Sequence, residues 1–149
     1  MMLFRFCPKK YCNDITGEGA KLRGGRWNNV GIPVVYTSTT ISLSLLELLI
    51  YNASYEELQN NYLMKIEVTG MPENSMNTVR VKKQWQKDVG YSRFIGDSFL
   101  TTNKNMLLKV PSAIIPEEYN ILINPLHPDF TKIKIISTSR FEFDSRLFK

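Results

Sequence analysis

The stretch Thr40–Tyr51, TISLSLLELLIY, places the tightest limit on what this chain can fold into. Ile41, Leu43, Leu45, Leu46, Leu48, Leu49 and Ile50 are apolar, and Glu47 is its only charge. A run of this length and spacing predicts a core helix. A carboxylate inside such a helix is costly unless a cation or hydrogen-bond donors meet it. Glu47 therefore lies either on a polar edge of the helix or in a pocket with a partner. We expect the pocket, with Arg26 as one of its members.

Around that helix the chain reads as many short strands. Met1–Phe6 reads as a strand with Arg5 between aromatics, and residues 8–25 as loop. Gly24-Gly25-Arg26-Trp27-Asn28 follows, where paired glycines allow close backbone approach. Pro33–Tyr36 is an apolar strand, and Thr37–Thr40 supplies helix caps. Ser54–Gln59 predicts a short helix or turn, Tyr62–Thr69 a strand, and residues 70–78 a loop containing Pro72 and Asn74. Trp85 is the expected core anchor of a mixed segment, and Tyr91–Thr102 reads as a second helix. Met106–Val110 is a strand leading into Pro111-Ser112-Ala113-Ile114-Ile115-Pro116, with Ser112 at a strand start beside a bend. Residues 117–120 read as a turn. Ile121–Asn124 and Lys132–Ser137 read as strands, and Phe141–Phe148 as a strand and turn. Short strands with about two helices give an α+β domain spanning residues 1–149.

Composition narrows the function. Hydrophobic residues make up 43% and charged residues 22%, as in ordinary globular domains. No 18-residue apolar run is present and the N-terminus lacks a signal-peptide pattern, so no membrane association and a cytoplasmic location are expected. Cys7, Cys12 and the single His127 do not make a zinc set, and no metal is expected. The formal charge is +5, but the basic residues are scattered and no nucleic-acid-binding motif accompanies them. An anionic small molecule suits this charge better than direct nucleic-acid binding.

The residues able to carry chemistry are Arg5, Arg26, Tyr36, Glu47 and Ser112. No Cys–His or Ser–His pair and no metal-hydrolase cluster competes with them. Two cations, a phenol, a carboxylate and a hydroxyl suit a phosphate-bearing substrate and a reaction that builds positive charge at a sugar carbon. On composition alone this is one option among several.

The chain also resembles the RES domain family, named for an Arg, a Glu and a Ser. The matching pieces are Gly17-Glu18-Gly19-Ala20, Gly24–Asn28, Gly31–Ser38 and Ser44-Leu45-Leu46-Glu47, then Gly96–Leu100, Val110-Pro111-Ser112, Asn120–Asp129 and Phe143–Leu147. They occur in family order over nearly the whole chain. One departure is Ser98-Phe99, where a Trp is expected after Gly96-Asp97.

The resemblance implies a compact ADP-ribosyltransferase-like α+β fold with short mixed or antiparallel strands. It implies a bacterial type II toxin that cleaves the nicotinamide–ribose bond of NAD+, by phosphorolysis or hydrolysis. Inorganic phosphate would be the co-substrate in the first case, and no other cofactor is implied. The implied partner is a DNA-binding repressor-type antitoxin that covers the site. The implied catalytic residues are Arg26, Tyr36, Glu47 and Ser112, and the implied NAD+-binding residues are Arg5, Arg26, Trp27, Tyr36 and Asn124. The alternatives are protein ADP-ribosylation from the same pocket, and an inactive module that binds an anionic ligand.

Overall fold

The computed structural model describes residues 1–72 and 76–148, so the predicted turn residue Asn74 lies outside the described residues. The strands are β1 (Met2–Pro8), β2 (Val35–Ser38), β3 (Asn61–Val68), β4 (Asn77–Thr78), β5 (Leu107–Pro111), β6 (Tyr119–Ile123) and β7 (Ile133–Arg140). They form one sheet in the order β4-β5-β6-β2-β1-β3-β7. Every pairing is antiparallel except β4 with β5. The helices are α1 (Glu18–Arg23), α2 (Ile41–Tyr51), α3 (Tyr55–Gln59) and α4 (Val89–Thr102). This is the expected α+β architecture.

The helices start where side-chain caps allow. Thr40 Oγ1 accepts from the Leu43 N–H at 3.1 Å, Ser54 Oγ from Glu57 at 3.2 Å, and Asp88 Oδ1 from Tyr91 at 3.0 Å. The Asp88 cap starts α4 two residues before the predicted Tyr91. The expected loop 8–25 contains α1, a short helix whose flanking glycines mask its periodicity. Gly17 precedes it at φ 75°, and a Cβ there would sit 2.6 Å from the Val34 nitrogen. The predicted turn at residues 117–120 is already strand from Tyr119, because Asn120 pairs with both Ser38 and Val110. Of the strand and turn predicted over Phe141–Phe148, the strand does not form, and Ser145–Phe148 is a 3-10 turn. The backbone leaves the sheet at Arg140, and Phe141 and Phe143 turn onto Phe6, with ring centroids 5.1 and 5.4 Å away. Aromatic packing has replaced ladder hydrogen bonds there.

Strand alternation sorts the residues onto two faces. One face carries Leu3, Cys7, Val35, Met64, Ile66, Ile121 and Ile123, closed over by Cys12, Ile15, Met71, Met76 and Phe130. The other carries two clusters. Phe6 and Leu63 pack with Ile41, Leu45, Leu48 and Leu49 of α2. Leu108, Val110 and Leu122 pack with Trp27, Trp85 and the α4 residues Ile95, Phe99 and Leu100. Thus α2 and α4 cover the same face of the sheet. Trp85 is the buried anchor expected from the sequence.

Candidate active site

Glu47 sits on the side of α2 turned toward the sheet, half-buried. Its Oε1 accepts two hydrogen bonds, from Ser112 Oγ at 2.9 Å and Asn120 Nδ2 at 2.6 Å. Asn120 is held in turn, because Ser38 Oγ donates to its Oδ1 at 2.7 Å. That contact fixes the amide so that its NH2 faces Glu47. Ser112 is fully buried, and its oxygen also accepts from the backbone N–H groups of Ile114 and Ile115, each at 3.1 Å. Its hydroxyl proton is therefore directed at Glu47. Ser112 follows the end of β5 rather than opening a strand, and the two N–H contacts close the turn after Pro111. The result is a carboxylate locked through one oxygen, with no protein donor on Oε2 among the described residues.

The partners of Glu47 are thus a serine and an asparagine, and the expected Arg26 partner is not among them. Arg26 donates from Nη1 to the Gln86 carbonyl at 2.9 Å, and its guanidinium carbon lies 5.7 Å from the Trp85 ring centre. It is half-buried and has no carboxylate partner among the described residues. Its loop is built with little freedom. The Tyr36 hydroxyl accepts from the Trp27 N–H at 3.1 Å and donates to Asn28 Oδ1 at 2.6 Å. Asn28 is fully buried, and its amide donates to the carbonyls of Ala20 and Ile32 at 2.9 and 3.0 Å. A Cβ on Gly25 would lie 2.6 Å from the Tyr36 hydroxyl, so only glycine fits there. From the other side, Ser92 Oγ donates to the Arg26 carbonyl at 2.5 Å and Arg93 Nε to the Gly25 carbonyl at 2.8 Å. Asp97 receives Asn29 through backbone and side chain at 3.0 and 2.6 Å. Gly96 lets α4 press onto the loop, since a Cβ there would be 1.7 Å from the Trp27 carbonyl oxygen.

Tyr36 and Ser38 point from β2 to the same face as Asn120 and Leu122 of β6. The Arg26 loop, Tyr36, Ser112 and Glu47 therefore all belong to the face covered by α2 and α4. The Tyr36 hydroxyl is already committed to Trp27 and Asn28, which leaves the ring, not the phenol, for a ligand. Burial pushes its pKa well above the ordinary phenol value.

Three residues expected to contact the ligand are placed elsewhere. Arg5 pairs with Met64, and its neighbour Phe4 packs against the α2 cluster, so Arg5 points to the opposite face. Its Nε is buried without a hydrogen-bond partner among the described residues, and its charge acts on Cys7 and Asp14. Trp27 is 3% exposed and stacks on Trp85 at 5.1 Å, a core role that leaves no open ring face. Asn124 is 1% exposed and uses its amide on the Leu100 carbonyl, Asn103 Oδ1 and the Leu126 N–H. It ties the end of α4 to the end of β6. Conversely, Asn120, Asn28 and Arg93 have roles that residue type alone does not mark. Only the pairing of Asn120 with Ser38 could have singled out the first, as a polar pair within two apolar strands.

Comparison with known proteins agrees with this architecture. The RES domain family model matches residues 2–144. A relative from Photorhabdus laumondii, named Toxin Res, is 36% identical across 100% of this chain and 98% of its own length. One from Sphingobium, named Prs ADP-ribosylating toxin, is 35% identical across 92% of this chain and 88% of its own. The crystal structure of the Mycobacterium tuberculosis MbcT–MbcA toxin–antitoxin complex contains a similar fold. It matches with a TM-score of 0.70 at 15% identity, over 98% of this chain and 85% of that one. The fold, the ordered run of motifs and the matches over nearly the full chain establish that this protein belongs to the RES domain family.

Proposed function

We propose that this protein is an NAD+-consuming toxin of a toxin–antitoxin pair, and that it breaks the bond between nicotinamide and ribose. The observation that carries the reading is the Glu47 carboxylate, locked through Oε1 by Ser112 and Asn120 with Oε2 left for a substrate. A preoriented carboxylate suits a reaction in which positive charge develops at a sugar carbon. The C1′–N bond breaks, its electron pair stays on the pyridine nitrogen, and neutral nicotinamide leaves. Glu47 stabilises the ribosyl cation until phosphate or water adds to C1′. Arg26 supplies a fork of donors suited to phosphate oxygens, and its loop is held against the same sheet face. The names of the relatives support the toxin reading, and the antitoxin complex of the structural neighbour supports an antitoxin partner.

The test is release of free nicotinamide from NAD+ by the purified protein, with and without inorganic phosphate. Release only with phosphate, giving ADP-ribose-1″-phosphate, identifies phosphorolysis. Release without it identifies hydrolysis. Protein ADP-ribosylation is the second reading, favoured by the name of the Sphingobium relative. Adenylate-labelled NAD+ separates the two, since label stays on a protein band only in transfer to protein. No release and no labelled acceptor would sink both.

A further inference from the structure

Among the described residues, three arginines are half-buried: Arg5, Arg26 and Arg93. None of them has a carboxylate partner, because the ion pairs are formed by Lys82, Lys132, His127 and Arg146. Arg5 lies on the opposite face, whereas Arg26 and Arg93 meet at one peptide. Arg93 Nε donates to the Gly25 carbonyl at 2.8 Å, one residue before Arg26. The next residue back on α4, Ser92, holds the Arg26 carbonyl.

Among the described residues, each of these two guanidiniums spends one nitrogen on the protein. Arg26 gives Nη1 to Gln86, and Arg93 gives Nε to Gly25, which leaves both terminal nitrogens of Arg93 without an acceptor among the described residues. A guanidinium carries five donors and cannot lose its charge. Two partly desolvated guanidiniums, Arg26 on the loop and Arg93 on the α4 turn that braces it, with no ion-paired carboxylate among the described residues, make a site for a doubly anionic group.

Resting on the NAD+ reading of the site, we propose that Arg93 is a second anion-binding residue, and that Arg26 and Arg93 together hold the diphosphate of the dinucleotide. Arg93 is then a binding residue as well as a brace for the loop. The two roles predict different behaviour for two substitutions. Arg93→Gln retains an N–H for the Gly25 carbonyl but loses the charge. Arg93→Lys retains the charge but loses the fork.

The experiment is calorimetric titration of ADP-ribose into the wild type, Arg93→Gln and Arg93→Lys, alongside nicotinamide release from NAD+. ADP-ribose carries the diphosphate but no nicotinamide, so it reads this site separately from bond cleavage. The expected result is a loss of about tenfold or more in ADP-ribose affinity for Arg93→Gln, the size of one charge-assisted contact, with partial recovery in Arg93→Lys. The KM for NAD+ should rise by a similar factor, with kcat falling less. An Arg93→Gln protein that binds ADP-ribose as tightly as the wild type overturns the inference and leaves Arg93 as a brace. A wild type that binds no ADP-ribose overturns it as well. A wild type that binds ADP-ribose but releases no nicotinamide removes the proposed reaction while leaving the anion site in place.

Discussion

At the scale of single residues, the site depends on one oxygen of Glu47 being loaded and the other left free. Glu47→Gln should retain the fold yet lower nicotinamide release by about a hundredfold or more, comparable to losing one preorganised stabilising group. Single-turnover kinetics with NAD+ would show it, and near-wild-type turnover would remove Glu47 from the chemistry. Asn120→Ala should act through Glu47. It leaves the carboxylate on Ser112 alone and strips the partner from Ser38, so the loss should fall mainly in kcat. Tyr36→Phe separates two roles of one side chain. The hydroxyl holds Trp27 and Asn28, and its removal leaves the buried Asn28 oxygen without its donor. The expected cost is about 1–3 kcal/mol of stability, read by urea unfolding.

At the scale of elements, α2 and α4 divide the labour. The first carries Glu47 on an otherwise apolar helix, and its own sequence suffices to start it, with Thr40 as cap. The second closes the Arg26 loop through Ser92, Arg93, Gly96 and Asp97, which lie along one stretch of helix. Gly96→Ala is the sharpest test of that contact. In a free helix alanine would stabilise. Here its methyl would meet the Trp27 backbone carbonyl, which has no flexible end to move aside. Overpacking of this kind costs about 1–3 kcal/mol or more, so the thermal midpoint should fall. Activity should fall further than stability, since the displaced loop carries Arg26.

At the scale of the whole molecule, the two faces of the sheet titrate in the same direction. Burial raises the Cys7 thiol on one face, against the opposing pull of Arg5, and raises the Tyr36 phenol on the other. Both groups are neutral when protonated, and both hold their proton more tightly folded than unfolded. The stability they support is complete below the unfolded-state values, about 8.5 for Cys and about 10 for Tyr. As pH rises past those values the unfolded chain loses protons first, and the folded state loses ground. Unfolding free energy should therefore fall above about pH 8.5 and more steeply above about pH 10. Tyr36→Phe should remove the steeper part. A flat profile to pH 11 would contradict the burial of both groups.

What the sequence determined by itself was local. An apolar run bearing one carboxylate, a Gly-Gly-Arg turn, a bracketed Ser112 and alternating strands are legible without coordinates, because periodicity and turn chemistry act between near neighbours. Glu47 as a carboxylate that must be partnered was legible for the same reason, since a lone charge in a greasy helix needs a partner. Which partner was not legible. Ser112 and Asn120 lie 65 and 73 residues away in the chain, and they reach Glu47 only because β5, β6 and β2 are neighbours in the sheet. Arg5 is parted from Glu47 for a related reason. Its residue type suits phosphate, but strand parity turns it to the face opposite Glu47. Trp27 and Asn124 were absorbed by packing, where buried rings and amides satisfy the core first. Sequence specifies which chemistry is available, and strand order and side-chain parity decide which of those groups share a site.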